Sequence, residues 1–215
     1  MAHVTRSMTA LRAFAVCTVL VLTVSCADIT PPIESCFTPD QNTVVIYGRF
    51  ELEQNQDTPG FCLDIYNRET KKEQFIPFRR IDPVYCVVSE NGRCEIIGVA
   101  LINQITHRVF RYQLYQTMGP FSVSYVIPFE AQRGSAIYVG DVAGFFNNPG
   151  LEMRFGIRKI SDNFAETTSV FHEKYPHLTS LPVRSIFEQT KQADITPIPI
   201  TIHLPPPVPV PVRIP

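Results

Sequence analysis

The chain has 215 residues, 45% of them hydrophobic and 18% charged, which indicates a globular domain with appended segments rather than a disordered or fibrous protein. Its net charge is -1, so no excess of basic residues favours nucleic acid or an anionic membrane surface as a partner. Phe and Tyr supply the aromatic side chains, and Trp is absent.

Residues 1–27 have the pattern of a secretory signal peptide. Arg6 and Arg12 precede an apolar run of 12 residues, Ala13 to Val24. This run is too short to span a bilayer comfortably. We expect cleavage after Ala27, which predicts a secreted, extracellular protein with no transmembrane segment. The alternative is a bacterial lipoprotein signal, in which Cys26 carries a lipid that anchors the protein at the cell surface.

The cysteines after the signal predict disulfides. They are Cys36, Cys62, Cys86 and Cys94. An even number in a secreted chain favours disulfides, and the absence of a CxxC pair argues against a zinc site, so no metal or cofactor is expected. If Asn91 and Gly92 form a tight hairpin turn, Cys86 and Cys94 lie on opposite faces, about 10 Å apart and beyond disulfide reach. A wider loop allows them to pair. We favour that pairing, with Cys36 bonded to Cys62, and the connectivity stays open.

Alternation of apolar and polar residues dominates the chain from residue 43 to 158. In GLEMRFGIR, Leu151, Met153, Phe155 and Ile157 occupy one face of a predicted strand. The other strand candidates are TVVIYGRF, FCLDIY, EQFIPF, VYCVVS, CEIIGVAL, FRYQLY, PFSVSYVI and SAIYVG, with turn signals between them. This pattern predicts an all-β, antiparallel β-sandwich over residues 43–160, preceded by an N-terminal segment, residues 28–42.

The composition changes after the predicted sandwich. Residues 161–194 form a more polar extension, in which we predict a last strand at Thr167–His172 and a short helix near Ser185–Ala193. Residues 195–215 form a Pro-rich tail. Frequent Pro favours extended polyproline II over helix or central strand, so this tail is interpreted as a spacer.

The predicted strands carry a family resemblance. VVIYGRFELEQNQDTPGFCLDIYN resembles the opening of a galectin domain, with matches at Ile46, Gly48, Phe61, Leu63 and Ile65. EQFIPFRRID, VYCVVSENG, GPFSVSYVIPF and SAIYVGDV resemble later galectin segments in the same order, so the resemblance spans Thr43 to Ile157. It implies a jelly-roll, galectin-like sandwich that binds an extracellular glycan or glycoprotein through one sheet face.

The resemblance also implies a changed sugar site. Phe75 and Pro77 stand where a galectin has its sugar-binding His and Asn, whereas Arg79 is retained. Asn91 lies in the turn where a second Asn is expected, and no Trp is available to stack on a sugar ring. Because donors that recognise hydroxyls are missing, the usual galactoside contacts are not expected.

Five residues are the candidate ligand contacts: Arg79, Arg80, Asp82, Asn91 and Tyr112. Arginine presents a fork of donors to ligand oxygens, and Tyr offers an apolar face with a polar tip. The structural alternatives are a surface ion pair for the charged residues and core packing for the tyrosine.

No motif indicates catalysis. A GxSxG elbow and Gly-rich phosphate loops are absent, and the histidines are too scattered for a metal set. Glu51 with Glu53, or Asp64 with Asp141, could pair as carboxylates, but sequence does not show their separation. We therefore expect a non-catalytic glycan-binding module. The alternative is a secreted or lipid-anchored surface protein that binds a protein partner without carbohydrate activity.

Overall fold

The computed structural model describes residues 28–53, 60–103, 105–118, 121–147, 152–190, 194–197 and 200–203. The predicted signal peptide with Cys26 lies outside the described residues, as do residues 204–215 of the Pro-rich tail.

The described residues form mostly strands, with helices confined to the region after residue 163. In chain order the elements are β1 (Val44–Leu52), β2 (Phe61–Asn67), β3 (Glu73–Pro77), β4 (Val84–Ser89), β5 (Gly92–Ile102), β6 (Val109–Met118), β7 (Phe121–Tyr125), β8 (Ile127–Ala131), β9 (Ser135–Asn147), β10 (Glu152–Ser161), α1 (Phe164–Lys174), a 3-10 helix (Pro176–Leu178), β11 (Val183–Ser185), α2 (Ile186–Thr190), β12 (Asp194–Ile195) and β13 (Ile200–His203).

The strands build two packed sheets, which confirms the prediction of a β-sandwich. Sheet A has the order β12-β10-β9-β1-β4, with β11 beside β9 and β13 beside β10. Sheet B has the order β3-β2-β5-β6-β7, with β8 beside β5. Most pairs are antiparallel as predicted, but β1 and β11 run parallel to β9. A purely antiparallel arrangement therefore describes only part of sheet A.

Sheet A is covered on both faces at strand β1. All side chains from Val44 to Tyr47 are fully buried, because one face of β1 meets sheet B and the other meets α1. The ring of Tyr47 stacks on Phe171 of α1 with 4.1 Å between centroids. A strand buried on both faces has a continuous apolar sequence, which is the reason that VVIY lacks alternation.

Alternation does describe β10. Phe155 and Ile157 are buried, whereas Arg154 and Arg158 are exposed, as the pattern of GLEMRFGIR predicts. Leu151 lies outside the described residues. One face of β10 therefore contributes to the core, and the other meets solvent.

The strand predicted at Thr167–His172 is wrong, because these residues belong to α1. Phe164, Phe171 and Tyr175 recur at helical spacing and pack toward the ring of Tyr138 or toward one another. Tertiary burial of this face outweighs the strand preference of the β-branched residues. The short helix predicted near Ser185–Ala193 is confirmed by α2.

The start of the Pro-rich tail pairs with β10. Ile200–His203 lies antiparallel to it as β13, and β12 pairs with its other end. This part of the tail is an edge strand rather than free polyproline II. An edge position tolerates nearby Pro, which cannot donate to a central ladder.

The predicted disulfides are wrong: the four described cysteines, Cys36, Cys62, Cys86 and Cys94, are all free. The hairpin between Cys86 and Cys94 does not form, because β4 pairs with β1 in sheet A whereas β5 pairs with β2 in sheet B. The thiol of Cys86 instead contacts Tyr175. Cys36 is exposed, whereas Cys62 is buried and packs with Phe75. These two cysteines therefore do not form the predicted bond either.

The N-terminal segment ties the two sheets together at one side. Thr30 donates its backbone N–H to Phe75 of β3, and Ile33 donates to Cys86 of β4. These strands are the last members of their sheets on this side, so the segment satisfies backbone groups that would otherwise be open to pairing. Among the described residues, no helix has the length and apolar character needed to cross a bilayer.

Candidate functional site

A cavity of about 320 Å³ lies between β3 of sheet B and the end of β4 of sheet A. We call it the edge cavity. Eight of its nine lining residues are polar or charged, but carbon atoms form most of the exposed wall. The lining consists of Thr30, Asn67, Thr70, Lys72, Glu73, Gln74, Val88, Ser89 and Glu90. This volume is at the lower end of the range for small-molecule sites and suits one small polar ligand.

Hydrogen bonds hold the wall of the edge cavity in place. Asn67 is 4% exposed, and its Oδ1 accepts the backbone N–H groups of Glu69 and Thr70 while its Nδ2 donates to the carbonyl of Glu90. Gln74 Nε2 donates to the carbonyl of Val88 at 2.7 Å and so links the two sheets. The turn and both strands are therefore fixed around the cavity.

Gly92 makes the turn between β4 and β5 possible. Its φ of 134° lies in a region that side chains rarely adopt, and a Cβ there would come within 2.7 Å of Glu69 Oε2. The chain passes at this point from sheet A to sheet B, so the glycine allows the close approach of the two turns that flank the cavity.

Lys72 and Glu90 provide opposite charges at the mouth of the edge cavity. The Lys72 ammonium donates to Glu90 Oε1, and both side chains remain largely exposed. Hydrogen bonds from Lys72 and Thr70 lower the pKa of the Glu90 carboxyl. An ammonium has three donors and a carboxylate several acceptor positions, so each group has capacity for a further hydrogen bond.

A charged cluster adjoins the edge cavity on the outer face of sheet B and consists of the buried Asp64 and the partly exposed Glu73 and Arg111. Arg111 of β6 donates to Glu73 of β3 and lies 3.5 Å from Asp64 of β2, measured from Nε to Oδ2. Its guanidinium also lies 5.6 Å from the ring centre of Phe75. Glu73 belongs to both features, because it lines the cavity and pairs with Arg111.

Asp64 is the unusual member of the cluster. It is 1% exposed, and neither carboxylate oxygen has a hydrogen-bond partner among the described residues. Burial raises the pKa of Asp64 to about 7, with a further contribution from the negative charge of Glu73 that outweighs the opposing effect of Arg111. Burial without hydrogen bonds penalises the ionised carboxylate, which explains the direction of the change.

Three of the predicted contact residues lie in the β3–β4 connection. The Arg79 guanidinium lies over the ring of Tyr85 at 4.6 Å, and Asp82 Oδ2 accepts from Lys174 Nζ at 2.5 Å. Arg80 is exposed. These contacts connect the loop to β4 and to α1, and none of the three residues lines the edge cavity.

The other two predicted residues lie elsewhere. Asn91 follows β4, and its Oδ1 accepts the backbone N–H of Arg133 at 3.1 Å. The loop that holds Arg79 is at the opposite end of β4, about 17–20 Å away at the rise of a six-residue strand. Tyr112 packs edge-on against Phe155 at 4.1 Å between centroids, toward the core. The five residues do not converge, and their role as ligand contacts stays a prediction.

A second polar cavity, of about 270 Å³, lies beside α1. The Asp141 carboxylate in it accepts hydrogen bonds from Tyr138, Asn163 and Thr167, and Arg49 lies 3.7 Å away. These groups satisfy one another's hydrogen bonds and charges, and they attach α1 to sheet A. Asp141 is therefore a structural residue, and it does not pair with Asp64, which belongs to sheet B.

Comparisons with family models, curated proteins and solved structures give no match for this chain. In the described part of the chain, no group of three or more His, Cys, Asp and Glu side chains could hold a metal ion.

Sequence reasoning missed the charged cluster, although one signal for it exists. Asp64 interrupts the apolar strand FCLDIY, and a charged residue within a buried strand calls for a partner. The partner could not be identified, because Arg111 reaches it only through the order of strands β2, β5 and β6 in sheet B.

Proposed function

We propose that the protein is a secreted, non-catalytic binding module that holds one sugar unit of an extracellular glycan or glycoprotein in the edge cavity. The observation that carries this proposal is the mixed lining: hydroxyl, amide, ammonium and carboxylate groups, together with Val88 and the aliphatic parts of the polar side chains, surround a cavity of about 320 Å³. A sugar presents both hydroxyl groups and apolar ring faces, so it matches both parts of this wall. A sugar hydroxyl both donates and accepts, so it can bond every one of the polar groups.

The charges of the lining favour a neutral ligand. Glu73 is ion-paired with Arg111 and Glu90 with Lys72, so the lining has no excess positive charge that would attract phosphate or sulfate groups. A lipid or a drug-like aromatic compound would displace water from the polar groups of the lining without forming hydrogen bonds to them, at a cost in free energy. A hydroxyl-rich, uncharged ligand avoids this cost and needs no excess positive charge.

The galectin-like, jelly-roll identity of the sandwich is part of this proposal. Two packed sheets support it, and the parallel pairing of β1 with β9 differs from the antiparallel ladder that the resemblance predicts. The proposed cavity also differs from the galectin site, since it uses the edge between the sheets and none of the family's sugar-binding His or Asn residues.

An array of immobilised neutral and sialylated oligosaccharides tests the proposal. We expect the chain to be retained by neutral oligosaccharides, and Lys72→Ala to weaken retention about tenfold, because it removes a charged donor worth about 1.5 kcal/mol or more. Lys71→Ala is the matched control: Lys71 is exposed, makes the same charge change and does not line the cavity. Equal retention of the two variants would contradict the assignment of the cavity.

A protein partner is the second candidate function, and one observation favours it. Ile105 is 90% exposed and Phe110 is 46% exposed, both at the β5–β6 turn. Exposed apolar residues of this kind can serve as contacts for another protein. Absence of sugar retention, combined with a partner whose capture is lost in Ile105→Ser but retained in Lys72→Ala, would replace the glycan proposal with this one.

A further inference from the structure

The edge cavity shares one side chain with the charged cluster of Asp64, Glu73 and Arg111. Glu73 contributes to the cavity wall, and its carboxylate accepts a hydrogen bond from the Nη2 of Arg111. Arg111 in turn lies between Glu73 and Asp64, with its Nε 3.5 Å from Asp64 Oδ2 but without a hydrogen bond to it. The guanidinium therefore lies close to both carboxyl groups but is hydrogen-bonded to that of Glu73.

We propose that Asp64 and Arg111 are a positioning pair for Glu73, and that the ionisation state of Asp64 determines whether Glu73 Oε2, the oxygen that accepts from Arg111, is available to a sugar in the edge cavity. The proposal rests on the proposed function and deepens it. When Asp64 is neutral, Arg111 remains on Glu73 and occupies its acceptor oxygen. When Asp64 is ionised, the buried charge draws the guanidinium toward β2, and Glu73 can accept hydrogen bonds from the ligand.

The direction of the pH effect follows from the environment of Asp64. Its pKa is raised to about 7 by burial and by Glu73, so the neutral form predominates below that value and the ionised form above it. Sugar binding should therefore strengthen as the pH rises through about 7. One additional charge-assisted hydrogen bond corresponds to a gain of about tenfold.

The other groups around Asp64 leave few competing explanations. Cys62 on β2 is buried, which raises the pKa of its thiol to about 12 and keeps it neutral. On β5, Gly98 pairs directly with Asp64, and Ala100 follows on the same face. The charged groups that face Asp64 from the adjacent strands are thus Glu73 and Arg111.

The N-terminal segment is the remaining element against this face. Ile29 packs on the apolar cluster that includes Cys62, and Thr30 bonds to Phe75. Neither side chain titrates. Asp28 pairs with His107 of the β5–β6 turn at 2.9 Å on the exposed side, so His107→Gln serves as the control for this ion pair.

The test uses the same oligosaccharide array at about pH 6 and about pH 8, since these values bracket the expected transition. For the wild type we expect half-saturating protein concentrations about tenfold lower at the higher pH. Asp64→Asn cannot ionise, so it should show the weaker binding at both pH values. His107→Gln should keep the wild-type dependence, and Glu73→Gln should lose both the dependence and the tighter binding.

Ligand-free carbon NMR of the Asp64 carboxyl provides an independent readout, and we expect it to titrate near pH 7. Binding by the wild type that is equal at both pH values would overturn the inference alone, as would an Asp64→Asn variant that keeps the dependence. Absence of sugar binding at both pH values would overturn the proposed function, and this inference with it. Loss of the dependence in His107→Gln would assign it to the other ion pair and also overturn the inference.

Discussion

At the scale of single residues, Asp64 shows how burial changes the chemistry of a side chain. Its carboxyl is 1% exposed in the middle of an apolar strand, and its oxygens have no hydrogen-bond partner in the part of the chain that the structure describes. The identity of such a residue is visible in sequence as a charge within FCLDIY. Its consequence is not, because the effect depends on Glu73 and Arg111, which neighbouring strands bring to the same face.

We predict that Asp64→Asn changes how stability depends on pH. The pKa of Asp64 rises from 3.8 in the unfolded chain to about 7 in the fold, so the folded state binds the extra proton. Wild-type stability should therefore fall as the pH rises from about 4 to about 7 and level off above it. The variant lacks this loss, so its free energy of unfolding should rise relative to that of the wild type by on the order of 2–4 kcal/mol between these two pH values.

Urea unfolding of the two chains across this pH range measures the difference. Glu188→Gln is the control, because Glu188 is exposed on α2 and its substitution should leave the slope unchanged. A constant difference in free energy of unfolding between wild type and Asp64→Asn at all pH values would contradict the account of this residue.

At the scale of elements, sequence patterns predicted strands with one solvent-exposed face better than segments that are buried on both faces. In β10, Phe155 and Ile157 alternate with exposed arginines, and the prediction is confirmed. The sequence TTSVFH looks like a strand because it contains β-branched residues. It forms α1 because Phe171 lies at helical spacing from Phe164 and covers the ring of Tyr47, a long-range contact that local propensity does not contain.

Phe171→Ala tests the attachment of α1 to sheet A. Phe171 is fully buried and stacks on Tyr47, so its removal should cost about 3–5 kcal/mol in free energy of unfolding. Glu173→Ala on the exposed side of the same helix should change it by less than about 0.5 kcal/mol. Denaturant unfolding compares the variants. A loss of less than about 1 kcal/mol for Phe171→Ala would show that the helix contributes little to the sandwich.

At the scale of the whole molecule, the crossing of the chain between the two sheets determines the cysteine pairing and the position of the cavity, which the sequence alone did not predict. Asn91 and Gly92 favour a hairpin by their residue types, yet the chain crosses there from sheet A to sheet B. That crossing separates Cys86 from Cys94 and excludes the predicted disulfide. It also places Ser89 and Glu90 opposite the turn at Asn67, and this produces the edge cavity. The two-sheet sandwich was predictable from alternation, whereas the site depends on the crossing.

The most direct measurement of the central claim is an amide NMR titration of the protein with the oligosaccharide of the array that binds it most tightly. The account predicts shift changes concentrated in the edge cavity, at residues 67–74 and 88–90. Shift changes centred on Ile105 and Phe110, or confined to the loop of Arg79, would contradict it.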